Sequence, residues 1–587
     1  MKEQLSWKVG GQQGEGIEST GEIFSTTLNR LGYHLYSYRH FSSRIKGGHT
    51  NNNIRISVDE VRSVDDNIDI LVAFDQQTID VNSHELFDGG IILADAKFKP
   101  TVDASLNVNL VVIPFTEIAK EQGSQLMKNM VAIGASARLM NLPMEPFKDM
   151  IHTMFIRKGE EIVQSNHNAL RLGFEAMDEQ YDEQGINSSF DLGESDGTEK
   201  LYLIGNDAIG FGAVNAGVRF MPAYPITPAS EIMEYMIKHL PKLGGTVIQT
   251  EDEIAAVTMA IGSNYAGARS FTASAGPGLS LMMESIGLSG MTETPLVIVN
   301  TMRGGPSTGL PTKQEQADLN QMIYGTHGDI PKIVLAPTDV EDAFYSTIDA
   351  FNLAEYYQVP VILLSDLQMS LGKQTSEPFD LSRVAINRGK TILEDIGREE
   401  GDTEYFERYG DSEDGISSRP IPGLKGGIHH VTGVEHSATG TPSETADNRQ
   451  IMMEKRMRKL NNFVMDEPFK VNGEKDSDLL VISFLSVNGV AAEAIGRFDE
   501  DIVGNITHVQ LKQLHPFPAE ALYPYLEGAK DVLVIEQNYS AQLFNIVKMN
   551  YHMHSKMKSF TKYNGTPFKP NEIEKYINSI LKIKEVL

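Results

Sequence analysis

Short runs of apolar residues that end in small or polar residues recur along this chain, and they restrict its fold more than any other feature. Both faces of each run are apolar, which is typical of strands buried in a parallel sheet. Amphipathic stretches lie between the runs. This alternation predicts an α/β protein with three open parallel-sheet domains. The runs form three series: residues 5–11, 69–75, 90–96 and 109–115; then 201–207, 245–252, 269–276, 295–301, 332–338 and 359–366; then 478–484, 506–514 and 531–537.

One of the amphipathic stretches, residues 230–240, has a clear helical period. We expect a helix with five apolar side chains on one face. These residues are Ile232, Met233, Met236, Ile237 and Leu240.

Two changes in composition divide the chain between the series. Residues 178–199 contain eight acidic residues and no Lys or Arg, which is typical of a solvated linker. Residues 376–475 form a connector with an acidic insert at 394–414 and clusters of turn-forming residues. The sequence therefore predicts domains at 1–177, 200–375 and 476–587.

The chain has 587 residues, no cysteine and a formal net charge of −28. Because it has no thiolate, an iron–sulfur cluster ligated by cysteine has to lie on another polypeptide. The negative charge disfavours contact with nucleic acid. The sequence has no apolar run as long as a signal-peptide core or a membrane span, so we expect a cytoplasmic protein without membrane contact.

Two glycine-rich segments near the N-terminus allow more than one interpretation. Residues 10–16 (GGQQGEG) follow the first strand and open a helix, where backbone N–H groups can bind an anion. The spacing is not that of a dinucleotide site, so tight packing or a partner contact is an equal alternative. Residues 44–50 (RIKGGHT) are better explained as a basic loop that docks on an acidic neighbour.

Two segments of the second series carry candidate functional groups. In residues 224–228 (YPITP), two prolines make a rigid turn. Thr227 either caps a helix that starts at Pro228 or presents its hydroxyl to a ligand. Glu253 begins a helix. Its carboxylate either complements the helix macrodipole or, when partly desolvated, shares a proton with a cofactor ring nitrogen.

Residues 274–278 (SAGPG) and 302–312 (MRGGPSTGLPT) each follow an apolar strand. Arg303 lies directly after such a strand, at the end where open α/β sheets bind ligands. Its planar guanidinium suits a carboxylate. An inter-domain ion pair is the alternative. The flanking loop has few bulky side chains to pack, and this favours ligand binding.

In their order, these motifs resemble those of the α subunits of the 2-oxoacid:ferredoxin oxidoreductases in the form with a γ domain fused at the N-terminus. GGQQGEG, RIKGGHT and NMVAIGA (129–135) resemble the γ part. YPITP, EDEIAA, SAGPG and RGGPSTGLPT resemble the pyrimidine-binding domain of a thiamine diphosphate enzyme. QLHPFP (513–518) and EQNYSAQL (536–543) resemble a transketolase C-terminal domain.

The resemblance implies that the enzyme oxidatively decarboxylates a 2-oxoacid with coenzyme A and passes the electrons to ferredoxin. It implies that Glu253 hydrogen-bonds N1′ of the aminopyrimidine of thiamine diphosphate, and that Arg303 holds the substrate carboxylate. Thr227 and Thr312 would contact the substrate, and the loop that follows Arg303 favours 2-oxoglutarate. The further residues expected at the cofactor are Tyr224, Pro225 and Ile226.

Two expected parts of such an enzyme are missing from the chain. It has no Gly-Asp-Gly motif for the Mg²⁺-bound diphosphate and no cysteine. The resemblance therefore implies a β subunit that carries the Mg²⁺ site and a [4Fe–4S] cluster, contacts ferredoxin, and forms an αβ or α2β2 assembly. A non-catalytic assembly or electron-transfer scaffold is the alternative. A nicotinamide-dependent dehydrogenase that uses residues 10–16 is a third.

Overall fold

The computed structural model describes residues 2–41, 48–184, 190–397, 404–552 and 554–582. The chain forms two compact units. The first contains residues up to 203 together with 371–378 and 569–573, and the second contains the remainder. Among the described residues, no helix combines the length and the hydrophobicity that a membrane span requires.

An eight-stranded sheet organises the first unit, in the order β6-β5-β4-β1-β3-β2-β14-β7. Numbered along the chain, its strands are β1 (Gln4–Gln12), β2 (His34–His40), β3 (His49–Ser57), β4 (Ile68–Ala73), β5 (Leu86–Asp95), β6 (Asn109–Ile113), β7 (Leu201–Ile204) and β14 (Lys373–Ser376). The strands predicted from apolar runs, β1, β4, β5 and β6, are parallel. Strands β2 and β3 were not predicted, and β3 pairs antiparallel with both β1 and β2.

The core of the first unit centres on Trp7 in β1. Its ring stacks on Phe24 at 4.4 Å between centroids, and its Nε1 donates to Ser136 Oγ at 3.0 Å. The helices of this part are α1 (Ile17–Arg30), α2 (Gln76–Asn82), α3 (Phe115–Glu121), α4 (Lys128–Leu139), α5 (Glu145–Phe155) and α6 (Glu160–Gln184). Helices α4 and α6 pack closely: a Cβ on Gly134 would lie 2.0 Å from the carbonyl oxygen of Leu170. Gly134 of the NMVAIGA motif therefore serves packing.

Two five-stranded sheets organise the second unit, in the orders β10-β11-β13-β12-β20 and β17-β19-β18-β21-β22, and there are two-stranded sheets β8-β9 and β15-β16. The strands are β8 (Phe220–Ala223), β9 (Thr246–Gln249), β10 (Phe271–Ser274), β11 (Leu296–Met302), β12 (Ile333–Leu335), β13 (Pro360–Asp366), β15 (Thr391–Ile392), β16 (Arg419–Pro420), β17 (Phe469–Asn472), β18 (Leu479–Phe484), β19 (Ile506–Leu511), β20 (Gln513–His515), β21 (Asp531–Glu536) and β22 (Met557–Thr561).

Parallel pairing dominates both large sheets, as predicted, and the departures lie at their edges. Strand β20, from the QLHPFP motif, pairs antiparallel with β12, and β17 pairs antiparallel with β19. Residues 201–207 were expected to form one strand, but β7 ends at Ile204 and a helix begins at Gly205. A Cβ on Gly205 would lie 2.4 Å from the carbonyl oxygen of Met369. The predicted domain boundaries stay a prediction.

The helix expected at residues 230–240 is confirmed as α8. Ile232, Met233 and Met236 are buried, but Ile237 is 51% exposed. Ile237 lies five residues after Ile232, about 140° around the helix, and therefore at the edge of the apolar face. The remaining helices are α7 (Gly205–Asn215), α8 (Ser230–His239), α9 (Glu253–Tyr265), α10 (Gly276–Met291), α11 (Leu319–Tyr324), α12 (Val340–Tyr357), α13 (Leu367–Leu371), α14 (Ala446–Arg458), α15 (Val487–Gly496), α16 (Glu500–Val503), α17 (Ala519–Gly528), α18 (Gln542–Met549) and α19 (Pro570–Leu581).

A fully buried ion cluster ties α14 to the end of α10. Lys455 Nζ donates to both carboxylate oxygens of Glu293 at 2.8 Å, and Lys459 Nζ lies 2.7 Å from Glu293 Oε2. All three side chains are 0% exposed. Burial raises the pKa of Glu293, but the two ammonium groups outweigh it and hold that pKa well below its usual range. The connector is therefore anchored electrostatically to the domain that precedes it.

Replacing Glu293 with Gln leaves two buried ammonium groups without their counter-charge. We expect Glu293→Gln to lower the free energy of unfolding by about 3–5 kcal/mol, measured by urea denaturation of the purified chain. The matched control is Glu454→Gln on α14, which removes an exposed carboxylate that accepts a hydrogen bond from Gln450. We expect it to cost less than about 0.5 kcal/mol. Equal effects of the two variants would contradict the assignment.

Candidate functional site

The turn at residues 224–228 connects β8 to α8. The Thr227–Pro228 peptide bond is cis. Helix α8 begins at Ser230, and Ala229 occupies its cap position. The interpretation of Thr227 as the helix N-cap is therefore wrong, and its hydroxyl is free of that role. Tyr224 and Pro225 are exposed, and Ile226 and Thr227 are half-buried.

Glu253 is the first residue of α9, but its neighbour caps the helix. Asp252 Oδ1 accepts a hydrogen bond from the backbone N–H of Ala255 at 2.8 Å. The side chain of Glu253 turns inward and is only 7% exposed. Within the described residues its carboxylate has no hydrogen-bond or ion-pair partner. Macrodipole complementation does not require a buried side chain, so it does not account for the inward position of Glu253.

The carboxylate of Glu253 packs over the first turn of α10, where the SAGPG motif leaves room for it. A Cβ on Gly278 would lie 2.8 Å from Glu253 Oε1 and 2.1 Å from Ser274 Oγ. Ser274 Oγ is buried and has no hydrogen-bond partner in the described part of the chain. Glu253 and Ser274 thus place oxygen atoms without protein partners next to each other. Polar groups in a packed core normally have such partners, so this arrangement is more typical of a polar ligand site.

Arg303 follows β11 directly, as predicted, and joins two motifs. Its Nη1 donates to the carbonyl oxygen of Thr227 at 2.5 Å, and its Nη2 donates to that of Thr308 at 3.3 Å. The side chain is 6% exposed and its Nε is buried without a partner. Burial lowers the pKa of Arg303, and the charge of Asp318 opposes this effect. Among the described residues Arg303 forms no ion pair, so the inter-domain ion pair is not observed.

A cavity of about 650 Å³ opens beside Arg303. It reaches the first turn of α10, against which Glu253 also packs. Thr312 follows in the same loop and is half-buried, but it does not line the cavity. The structure thus joins Thr227 to Arg303 by a hydrogen bond and leaves Thr312 apart. The lining residues are Gly276, Pro277, Ser280, Arg303, Gly304, Gly305, Pro306, Ser307, Thr308, Glu315, Ala317, Asp318 and Gln321.

Sequence reasoning missed Asp318, which lines this cavity. Asn300 Nδ2 donates to its Oδ2 at 3.1 Å. Burial raises the pKa of Asp318 to about 6, and the charge of Glu315 adds to this effect. An aspartate directly before a short helix is the usual sequence pattern of an N-cap. The pattern therefore gave no sign that Asp318 lines a cavity.

A larger cavity of about 800 Å³ lies against α12. Its lysines are already paired: Lys512 Nζ lies 2.9 Å from Asp342 Oδ1, and Lys470 Nζ lies 3.0 Å from Asp339 Oδ2.

Throughout the described residues, no three His, Asp or Glu side chains are grouped to hold a metal ion.

The glycine-rich turn at residues 10–16 is packed by the chain itself. The carboxylate of Glu15 accepts a hydrogen bond from the backbone N–H of Gln12 at 3.3 Å and from Lys128 Nζ at 3.0 Å. Cβ atoms on Gly10 and Gly11 would lie 2.6 and 2.9 Å from neighbouring side chains. These contacts favour the packing interpretation. Residues 44–47 of the predicted basic loop lie outside the described residues.

Comparisons with known proteins identify the family. Residues 211–455 match the family model described as "Pyruvate flavodoxin/ferredoxin oxidoreductase, thiamine diP-bdg", and residues 6–176 match "Pyruvate ferredoxin/flavodoxin oxidoreductase". The α subunit of 2-oxoacid:ferredoxin oxidoreductase from a Sulfolobus species is 34% identical, over 99% of this chain and 97% of the relative. The chain belongs to the α subunits of the 2-oxoacid:ferredoxin oxidoreductases.

Two further relatives of this family are named for 2-oxoglutarate. Subunit KorA of the 2-oxoglutarate oxidoreductase of Mycobacterium tuberculosis is 30% identical, over 99% of this chain and 92% of the relative. The solved structure of 2-oxoglutarate:ferredoxin oxidoreductase from Magnetococcus marinus, with 2-oxoglutarate, coenzyme A and succinyl-CoA bound, has a TM-score of 0.91 and 34% identity, over 99% of this chain and all of that chain. Family membership confirms the predicted fold class and the predicted type of enzyme.

The contact between Gly278 and Glu253 is testable in the assembled enzyme. A Cβ on Gly278 would lie 2.8 Å from Glu253 Oε1 and displace the carboxylate. If Glu253 acts in catalysis, we expect Gly278→Ala to lower 2-oxoacid-dependent dye reduction at least about 100-fold, because a shift of about 1 Å can cost this much. Gly496→Ala at the end of α15 is the control, because its Cβ would enter open space. An active Gly278→Ala enzyme would show that this contact does not position Glu253.

Proposed function

We propose that this chain forms the half of an active site that binds the aminopyrimidine of thiamine diphosphate and the 2-oxoacid. The enzyme would convert the acid and coenzyme A into an acyl-CoA, CO2 and a proton, and the two electrons released would pass to ferredoxin. The observation that carries this proposal is the unpartnered carboxylate of Glu253, a residue that is only 7% exposed and lies above Gly278. A hydrogen bond from Glu253 to the ring nitrogen N1′ would offset the cost of burying this group.

Thiamine diphosphate, when bound, supplies the nucleophilic carbon that adds to the 2-oxoacid and accepts the electron pair that CO2 leaves behind. The side chains of this protein bind and orient the cofactor and the substrate. Glu253 shares a proton with N1′, Arg303 receives the substrate carboxylate, and the hydroxyls of Thr227 and Thr312 hydrogen-bond the substrate. The residues that line the aminopyrimidine are Tyr224, Pro225 and Ile226.

We propose 2-oxoglutarate as the substrate. Two relatives are named for this acid, and the structure of one contains it. The cavity beside Arg303 offers about 650 Å³, which is ample for a five-carbon dicarboxylic acid, and Arg303 can bind one of its carboxylates bidentately.

The proposed partner is a β subunit with the Mg²⁺-bound diphosphate site and a [4Fe–4S] cluster, which passes electrons to ferredoxin in an αβ or α2β2 assembly. The absence of cysteine and of a Gly-Asp-Gly motif supports it. So do the helices that begin at the site. Ile254 and Met259 on α9 are 46% and 37% exposed, and Leu281 on α10 is 52% exposed. Helices that are apolar on their outer face as well are typical of helices buried in an assembly.

Substituting Glu253 tests the catalytic role. In the assembled enzyme we expect Glu253→Gln to lower kcat at least about 100-fold, because the amide cannot act as the acid and base at N1′. The matched control is Glu251→Gln, two residues away on an exposed side chain, which should leave kcat unchanged. The assay is 2-oxoglutarate-dependent dye reduction. If Glu253→Gln is as active as the control, the non-catalytic scaffold explains the motifs better.

Charging the apolar face of α9 and α10 tests the partner. We expect the double variant Ile254→Asp, Leu281→Asp to weaken association with the β subunit at least about 100-fold, because it places carboxylates in a desolvated interface. Leu381→Asp is the control, since Leu381 is also 52% exposed but lies away from both helices in the sequence. Co-elution on size exclusion measures assembly. Association as tight as that of the control would rule out this face as the interface.

A further inference from the structure

Asp318 does not do what its position in the sequence suggests. It immediately precedes α11, but its side chain makes no capping hydrogen bond to that helix. Its carboxyl lies instead against the start of α10, where a Cβ on Gly276 would be 2.9 Å from Oδ2 and 3.0 Å from Oδ1. Asn300 Nδ2 holds Oδ2 from the other side. The carboxyl has therefore turned away from its own helix and toward the cavity beside Arg303.

Two charged groups face Asp318 in this cavity. Arg303 comes from the end of β11, and Glu315 comes from the loop that follows, where its carboxylate accepts a hydrogen bond from the backbone N–H of Gly305 at 2.8 Å. Helices α10 and α11 contribute Ser280 and Gln321 to the lining, and neither side chain is charged. Arg303 and Asp318 interact electrostatically without an ion pair in the described residues. The charge of Asp318 therefore affects the guanidinium of Arg303, although the two groups are not in direct contact.

We propose that Asp318 is a positioning residue whose charge sets how strongly Arg303 binds the carboxylate of the 2-oxoacid. This inference rests on the proposed function of Arg303. Neutral Asp318 leaves the full positive field of the guanidinium to the substrate. Ionised Asp318 offsets that field and repels the incoming carboxylate. Substrate binding therefore favours the protonated form of Asp318, and by linkage the affinity falls as Asp318 loses its proton.

The expected pH range follows from the environment of the carboxyl. Burial raises the pKa of Asp318 to about 6, so the group is neutral below this pH and ionised above it. The carboxylate of the bound substrate adds a negative charge close to Asp318 and raises the pKa of Asp318 further. KM for the 2-oxoacid should therefore rise as the pH increases from below 6 to about 8.

The decisive experiment compares the assembled wild-type enzyme with Asp318→Asn, which has the same shape and is neutral at every pH. We expect wild-type KM for 2-oxoglutarate to rise about 3- to 10-fold between pH 5.5 and 8, as expected for a charge that is partly screened. In Asp318→Asn we expect KM to stay low and nearly constant. The kcat values should differ less than about 2-fold, since the group acts on binding.

Three further variants make the result specific. Gly276→Ala displaces the carboxyl of Asp318 and should reduce the pH dependence of KM. Glu315→Gln tests the other carboxyl of the cavity: KM should still depend on pH, with the rise shifted to lower pH, because the charge of Glu315 helps to raise the pKa of Asp318. Asp349→Asn is the matched control: burial raises the pKa of this aspartate too, but it lines the separate cavity beside α12. It should reproduce the wild-type profile.

The inference is overturned if active Asp318→Asn enzyme keeps the wild-type pH dependence, or if Glu315→Gln abolishes it. Either result would leave the proposed function standing, because the enzyme would still turn over. A fully active Glu253→Gln enzyme is the independent result that would remove the proposed function.

Discussion

Two carboxyl groups lie against the first turn of helix α10, and the arrangement of the site depends on this contact. Gly276 makes room for Asp318, and Gly278 makes room for Glu253. The amino end of a helix carries a partial positive charge, which stabilises carboxylates placed there. A side chain at either glycine would displace the acid that it faces. The two glycines of the SAGPG motif thus fix where both carboxyl groups lie.

The strands of the large sheets could be predicted because a buried parallel strand is a continuous apolar run, and this is a local property of the sequence. Strands β11 and β13 are examples. Strand β3 reads HTNNNIRIS and lacks such a run, and it pairs antiparallel with both β1 and β2. Its partners lie in other segments, so the sequence of the strand alone does not reveal it.

The same distinction applies to the site. Glu253 and Arg303 could be located because each is fixed by its own element: one begins a helix, and the other ends a strand. The hydrogen bond from Arg303 to the carbonyl oxygen of Thr227 joins segments far apart in sequence, and no local pattern predicts it. Asp318 could not be found for a related reason. The direction of its side chain is set by Gly276 and Asn300, while its own neighbours in sequence suggest a helix cap.

Two buried glutamates in the same unit differ in the partners of their carboxylates. Glu293 is 0% exposed and is neutralised by Lys455 and Lys459. Glu253 is 7% exposed and has no such partner in the described residues. Burying an unpaired carboxylate costs several kcal/mol, whereas a paired one costs far less. At Glu293, whose role is structural, two lysines of the chain balance the buried charge. The absence of such a partner at Glu253 is what supports its proposed contact with the cofactor.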